Sequence, residues 1–305
     1  MDISTDPKPL DLSIVVVNWN TKELLDKCLD SVYRTVTRPA FDVWVVDNAS
    51  TDGSAEMVRC KYPQAHCLEN TENVGFSRAN NQAMDLSGGE TILLLNSDIE
   101  LTENAVNKTW ELLNEHQSIG AMGCVLKGYD GTTQESWGYS LPHGPSLRKE
   151  NRDLPDGLVD SAWIWAAFML VRRAVVREVG MFDEEFRMFH EDTDWCWRII
   201  DAGWHIAYCP YINVIHGCRQ SVGSLPRSTY YRWLLIGDNL LYRKHHQRWQ
   251  VIFQIIKRFA HYSLLAGCHW LAYCLTHAEA HAERVEWFKT ARSAVAVMWK
   301  PVNSN

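Results

Sequence analysis

The feature that most constrains the fold is a set of short apolar runs that do not alternate with polar residues. Residues 13–18 (SIVVVN), 41–46 (FDVWVV) and 91–95 (TILLL) read as strands, and the last is apolar throughout. A strand without alternation is buried on both faces, which requires helices above and below the sheet. Helical spacing fills the intervals. In 21–36, Leu24, Leu25, Cys28, Leu29 and Val32 fall on one side. Residues 52–60, 76–86 and 102–116 are also expected to be helical, the last with Thr102 at its N-cap. Strands alternating with helices predict an α/β fold with a doubly wound, mostly parallel sheet. After Gly120 the pattern changes. Residues 128–158 are rich in Gly, Pro and charge and read as loops with room for a hairpin. A second strand-helix section runs from 163 to 216, and the chain beyond Pro226 is helical and aromatic. These shifts divide the chain into a domain at 1–226 and a C-terminal segment at 227–305, with the boundary in SVGSLP.

Charge follows the same division. The whole chain of 305 residues has 30 Lys+Arg against 37 Asp+Glu, a net −7, which argues against a nucleic-acid partner. Through Pro226 the balance is −14, and from Arg227 onward it is +7. A basic, aromatic tail suits an anionic membrane surface, a homodimer interface, or simply the solvated faces of packed helices. Residues 259–275 approach the length of a membrane span. His261 and His269 within them, and Lys257 and Arg258 before them, favour an interfacial or packed helix. The start, MDISTDPKPLDLS, has neither a basic nor an apolar leader region, so no signal peptide is expected. Nine cysteines without a CxxC pair or zinc-ligand spacing suggest reduced, buried thiols in a cytoplasmic protein.

Open α/β sheets bind ligands at the carboxyl ends of their strands. Three polar clusters fall there: Asn18-Trp19-Asn20, the stretch from Asp47 to Ser54, and Asn96-Ser97-Asp98. No GxGxxG follows a strand and no GxxxxGK[ST] occurs, which excludes a dinucleotide-binding domain and a P-loop NTPase.

The segments SIVVVNWN, VVDNASTDGS, NVGFSRANNQA and LLLNSD, in that order, resemble the nucleotide-sugar half of a family 2 inverting glycosyltransferase with the GT-A fold. AAFMLVRR, VGMFDEEFRMFHEDTDWCWR and VIHG extend the resemblance through the second section. Within the family the chain is most similar to the bacterial rhamnosyltransferase-like branch that builds cell-surface polysaccharide. The resemblance implies a nucleotide-diphospho-sugar donor, with dTDP-L-rhamnose favoured over UDP-sugars, and Mg2+ or Mn2+ as cofactor. It also implies a glycan or polyprenyl-diphosphate-linked acceptor at the inner face of the plasma membrane.

The residues carry these roles unevenly. Asp98 ends a buried strand, where a carboxylate is costly without a partner. A divalent cation bridging to diphosphate would supply one, and capping of the following turn is the alternative. The family pattern here is often Asp-x-Asp, and Asn96 takes the first position, so metal affinity is in question. By resemblance Asp47 accepts the imide N–H of uracil or thymine, with Asn18 and Asn20 beside it; Asp47 also suits a plain turn. Asp52-Gly53-Ser54 reads as turn and helix-cap chemistry. Arg78 is either the family's basic residue near the diphosphate or a surface arginine. Of the pair Glu191-Asp192, the second acid is the family's usual base, with Glu191 contacting the acceptor or orienting the site; an acidic helix N-terminus accounts for both equally. Asp194 either caps that helix or points away along it, since residues two apart do not share a face. His216 is a metal ligand by resemblance and otherwise a structural histidine, and Cys218 is structural. Among the clustered tryptophans, Trp163, Trp165, Trp195 and Trp197, one is expected to line the acceptor site.

Two other classes remain open. A nucleotidyltransferase would carry a Gly-rich basic loop after the first strand, which NWNTKE lacks. A non-catalytic glycan-binding scaffold is kept open by Asn96.

Overall fold

A computed structural model describes residues 10–143, 154–217, 227–276 and 279–295. It divides into two compact units, one of 1–185 with 192–223 and one of 186–191 with 224–305. The boundary expected in 221–226, and Cys218, lie outside the described residues.

The first unit opens with β1 (Leu12–Asn18), α1 (Lys22–Thr35), β2 (Phe41–Asp47), α2 (Ser54–Lys61), β3 (His66–Glu69), α3 (Phe76–Leu86) and β4 (Thr91–Asn96). It continues through β5 (Ile99–Glu100), α4 (Ala105–Glu115), β6 (Ile119–Lys127), β7 (Trp137–Gly138), β8 (Val159–Asp160) and β9 (Trp163–Ile164). The last elements are β10 (Phe168–Arg172), α5 (Arg173–Val179), α6 (Glu191–Asp201) and β11 (His205–His216).

The main sheet runs β3-β2-β1-β4-β10-β6-β11-β5, with β8 also on β11. Its first four strands are mutually parallel, as are β6 and β11. β10 is antiparallel to both neighbours, β4 and β6. The sheet is therefore mostly parallel, with apolar residues on both faces. One cluster gathers Ile14, Val16, Leu93 and Leu95 with Leu25 and Leu29 of α1. The other gathers Val15, Ile92 and Leu94 with Ala79 and Ala83 of α3. Alternate residues of β1 and β4 feed opposite cores, which is why neither strand shows alternation in sequence.

Strand order reverses between β1 and β4, so their carboxyl ends flank a crevice of the kind that binds ligands in such sheets. Two buried arginines brace the framework. Arg172 donates from Nε to Ile119 O (2.7 Å) and also reaches Leu113 O and His116 O near the end of α4. Arg173 donates to Met84 O in the last turn of α3 (2.7 Å) and to Gly89 O beyond it (2.9 Å). Cations placed on terminal helix carbonyls satisfy acceptors that the helix leaves open.

Several expectations shift. Thr102 does not cap α4: Asn104 holds that position in left-handed backbone (φ 61°), and the Thr102 hydroxyl donates to Asn213 O. β6 carries no strand signal in sequence, because Gly120 and Gly123 interrupt it. A Cβ on Gly120 would lie 2.9 Å from Trp204 Cβ, so packing rather than propensity selects glycine there. In 128–143 an isolated bridge joins Lys127 to Thr133, while β7 pairs with β9 from beyond that segment.

The second unit contains α7 (Arg227–His245), α8 (Arg248–Thr276) and α9 (Glu279–Ala294). α7 and α8 are not continuous: the chain breaks between them at His246-Gln247. His246 stacks on Tyr242 (3.9 Å), and the Gln250 side chain accepts from Gln247 N (2.9 Å). Arg258 pairs with Asp238 (2.6 Å), tying α8 to α7. No helix among the described residues is long and apolar enough to cross a membrane.

Candidate active site

The carboxyl ends of β1, β2 and β4 are laced together by short polar side chains. Asn18 Nδ2 donates to Asp47 Oδ2 (3.0 Å) and Ser50 Oγ (3.1 Å), while its Oδ1 accepts from the Thr21 hydroxyl (2.7 Å). Thr21 Oγ1 lies 2.8 Å from Ser97 Oγ, which carries the network to the third strand. Asp47 is only 3% exposed, and its Oδ1 accepts from Ser50 N (2.8 Å). Two bonds leave acceptor capacity on an ionised carboxylate, which offers about four lone-pair sites. Asn20, exposed and in left-handed backbone (φ 54°), accepts from Thr51 N (2.8 Å).

Around this floor the loops are fixed by side chains that sequence reasoning passed over. Asn48 Oδ1 accepts from Val74 N (3.0 Å) and its Nδ2 donates to Gly75 O (3.3 Å), pinning the loop before α3. Asp52 serves two helix starts at once, accepting from Lys22 N (2.9 Å) and Ser54 N (3.1 Å). Burial opposes ionisation of its carboxyl, but these bonds and the Ser54 hydroxyl outweigh it and hold the group below the usual aspartate range. Cap chemistry in Asp52-Gly53-Ser54 is thus what the structure contains.

Asp98 and His216 meet. They are 6% and 4% exposed, and Asp98 Oδ1 lies 3.3 Å from His216 Nε2. Strand pairing produces the approach: β5 runs antiparallel to β11, with His216 opposite Ile99, the residue after Asp98. Gly217 N also donates to Asp98 O (2.9 Å). A register shift between Cys209 and Asn213, where β11 carries the extra residues, holds the end of β11 back along β6.

Gln134 fixes the imidazole. Its Nε2 donates to His216 O (3.0 Å), which leaves Oε1 facing His216 Nδ1 at 2.6 Å. An amide oxygen accepts only, so Nδ1 carries the proton. In the neutral ring, Nε2 then presents a lone pair to a carboxylate oxygen. Two buried acceptors that close need a proton or a cation between them. Nothing in the sequence singles out Gln134, which lies in a loop without a motif.

The segment 165–167 connects this pair to the other candidates. The Trp165 ring stands edge-on to His216 with centroids 6.4 Å apart. Ala166 N donates to Asp192 Oδ2 (3.3 Å), and Ala167 O accepts from Asn96 N (3.0 Å). Asp192 is half-buried in the first turn of α6, where its Oδ1 also accepts from Thr193 N (2.7 Å). Glu191, the preceding residue, is buried and groups with the second unit. Asp194 turns away to Arg198 (2.9 Å), whose guanidinium also holds Val179 O and Met181 O.

Other candidates stay apart. Arg78 has a 59% exposed side chain, 3.9 Å from Glu184. Trp163 is half-buried and packs against the same core cluster as Trp137. Trp195 is fully buried, donating to Gly180 O (2.8 Å), and Trp197 is buried too, so neither presents an indole face for a sugar.

The family model of glycosyl transferase family 2 matches residues 13–180, from β1 to the residue after α5. The chain therefore belongs to glycosyl transferase family 2, and it is a glycosyltransferase of the kind that builds polysaccharides and other glycans. It is 26% identical over 246 residues to an N-acetylglucosaminyl-diphospho-decaprenol L-rhamnosyltransferase of Mycobacterium tuberculosis, covering 71% of this chain and 79% of that protein. It is 27% identical over 223 residues to the low-salt glycan biosynthesis hexosyltransferase Agl10 of Haloferax volcanii, covering 68% and 67%. Among solved structures, a mannosyltransferase from Pyrobaculum calidifontis in complex with GDP-Man and Mn2+ superposes with a TM-score of 0.56. It is 16% identical and covers 95% of this chain and 87% of its own. At that identity the likeness shows the shared fold, GT-A.

Proposed function

We propose that this protein is a metal-dependent inverting transferase, moving a sugar from a nucleoside-diphospho-sugar to a hydroxyl of a lipid-linked glycan. One observation carries the reading: Asp98 Oδ1 and His216 Nε2, both buried, face each other at 3.3 Å. The Asp98 carboxylate and the donor's phosphate oxygens would suit Mn2+ or Mg2+, and the imidazole nitrogen of His216 favours Mn2+ of the two. When bound, the cation offsets negative charge on the departing nucleoside diphosphate.

The chain's own side chains do the rest. Asp47 accepts the imide N–H of the base, on the floor that Asn18 and Asn20 organise. Arg78, exposed at the start of α3, approaches the diphosphate. Asp192 takes the proton from the acceptor hydroxyl, whose oxygen forms the new bond to the anomeric carbon as the bond to diphosphate breaks. A single displacement from the opposite face inverts the configuration. The Trp165 ring, beside His216, or that of Trp163 offers an apolar face to the acceptor sugar.

L-Rhamnose from dTDP-L-rhamnose is the favoured donor, supported by the mycobacterial relative, whose name also supplies a polyprenyl-diphosphate acceptor. Such an acceptor places the work at the inner face of the plasma membrane. UDP-sugars are the second reading, supported by the structural neighbour GalNAc-T7, solved with UDP, GalNAc and Mn2+. The test is calorimetric titration with dTDP, UDP and GDP, each with and without Mn2+ or Mg2+, on wild type and Asp98→Ala. Metal-dependent binding of one nucleotide, lost in the variant, is expected. Absence of binding to all three would sink the reading and leave a non-catalytic glycan-binding protein.

A further inference from the structure

Helix α8 is 29 residues long and contains no Asp or Glu. Its inner side is accounted for: Val251 and Ile255 are buried with Val295, and Tyr242 and Tyr262 pack against them. Tyr262 also meets Trp287 and Phe288 of α9. Its outer side carries large exposed apolar side chains. Trp249, Phe253, Ile256, Leu264 and Leu271 recur at helical spacing along one stripe, with Ile252, Phe259 and Trp270 at its margin. These eight side chains are 42–67% exposed. From Trp249 to Leu271 the stripe extends about 33 Å at 1.5 Å per residue. Scattered exposed apolar residues are ordinary, but a contiguous stripe of this size marks a contact surface.

We propose that this face of α8 is a membrane-docking surface, lying in the plane of an anionic bilayer with its apolar stripe among the acyl chains. Charge selects the occupant. Arg248 and Lys257 are exposed on α8, and no acid on the helix balances them. Anionic headgroups complement that edge. A second copy docked on the same face by two-fold symmetry would bring cations toward cations, with no acid of α8 to pair them. Arg258 is excluded from the count, since it faces inward to Asp238. Tryptophans near both ends of the stripe, Trp249 and Trp270, have the ring chemistry that settles at headgroup level. The helix is not apolar enough to span. An apolar stripe with a cationic margin and no acid is the composition of an interfacial helix. This inference rests on α8 alone and stands or falls independently of the donor reading.

Co-flotation of the full chain with vesicles tests it. One set is pure phosphatidylcholine; the other contains about one quarter phosphatidylglycerol. Wild type is expected to float with the anionic vesicles and at least tenfold less with the neutral ones. The triple variant F253S/I256S/L264S is expected to lose anionic-vesicle binding at least tenfold while keeping its circular dichroism and Tm, since these side chains lie on the exposed side. Lys257→Glu should weaken binding about fivefold or more, at roughly 1 kcal/mol per surface cation. No flotation of wild type, or equal flotation of the triple variant, overturns the proposal. Sedimentation velocity without lipid covers the rival: a wild-type dimer that the triple substitution dissociates, with no vesicle binding, would make this face a contact between copies.

Discussion

Replacing Gln134 by Leu keeps the side chain's bulk and removes both of its bonds to His216. In the wild type these are the 3.0 Å bond to His216 O and the 2.6 Å contact at Nδ1, made to a residue only 4% exposed. Each buried partner left without its bond costs about 1 kcal/mol, so folding stability should fall by roughly 2 kcal/mol. The larger consequence concerns the proposed metal site. Gln134 decides which imidazole nitrogen carries the proton and so turns the Nε2 lone pair toward Asp98. Outer partners of this kind change metal affinity by about 10–100-fold. Calorimetric titration of Mn2+ into the nucleotide-saturated protein should therefore show Gln134→Leu weaker by at least tenfold, while Asp98→Ala shows no metal-dependent binding. Nitrogen chemical shifts of His216 provide a second readout, with Nδ1 protonated in wild type and a tautomer mixture in the variant. If Gln134→Leu folds and binds Mn2+ within twofold of wild type, the reasoning from imidazole orientation is wrong.

Three further outcomes are expected. Asp192→Asn should lower transfer by about 10²–10⁴-fold, the usual contribution of a general base, with nucleotide binding unchanged by calorimetry; full turnover would remove Asp192 from that role. Asp52→Ala should cost about 1 kcal/mol, since one carboxylate serves the starts of α1 and α2. Because the folded group is held below the ordinary value of 3.8, this stabilisation is fully present above about pH 4 and lost as pH falls through the depressed value. The Tm gap between wild type and Asp52→Ala should accordingly close on acidification, and a gap that widens would contradict the sign. Gly89→Ala should destabilise by about 1–3 kcal/mol in denaturant melts, because its Cβ would sit 2.4 Å from Ser13 N in β1, whereas Gly88→Ala, with open space around it, should be neutral.

The sequence by itself determined the layered α/β architecture and the family. Unalternated runs such as SIVVVN and TILLL, too short for helices and bounded by polar clusters, read as strands buried on both faces, and the spacing of 76–86 delimits α3 at Phe76–Leu86. It also placed the polar clusters after β1, β2 and β4, because chain order and strand ends are local properties. Tertiary structure decided the rest. β3 is short and half exposed, and β6 is interrupted by glycines whose reason is the neighbouring Trp204 and Ile164 side chains. The break at His246-Gln247 was hidden because the residues around it are compatible with a continuous helix. Above all, the proximity of Asp98 to His216 depends on β5 pairing with β11 after a register shift. The orientation of that histidine depends on Gln134, from a loop with no motif. Local periodicity reports which face of an element is buried. It carries no information about which distant strand lies alongside, and it is that pairing which turns a carboxylate and an imidazole into a single site.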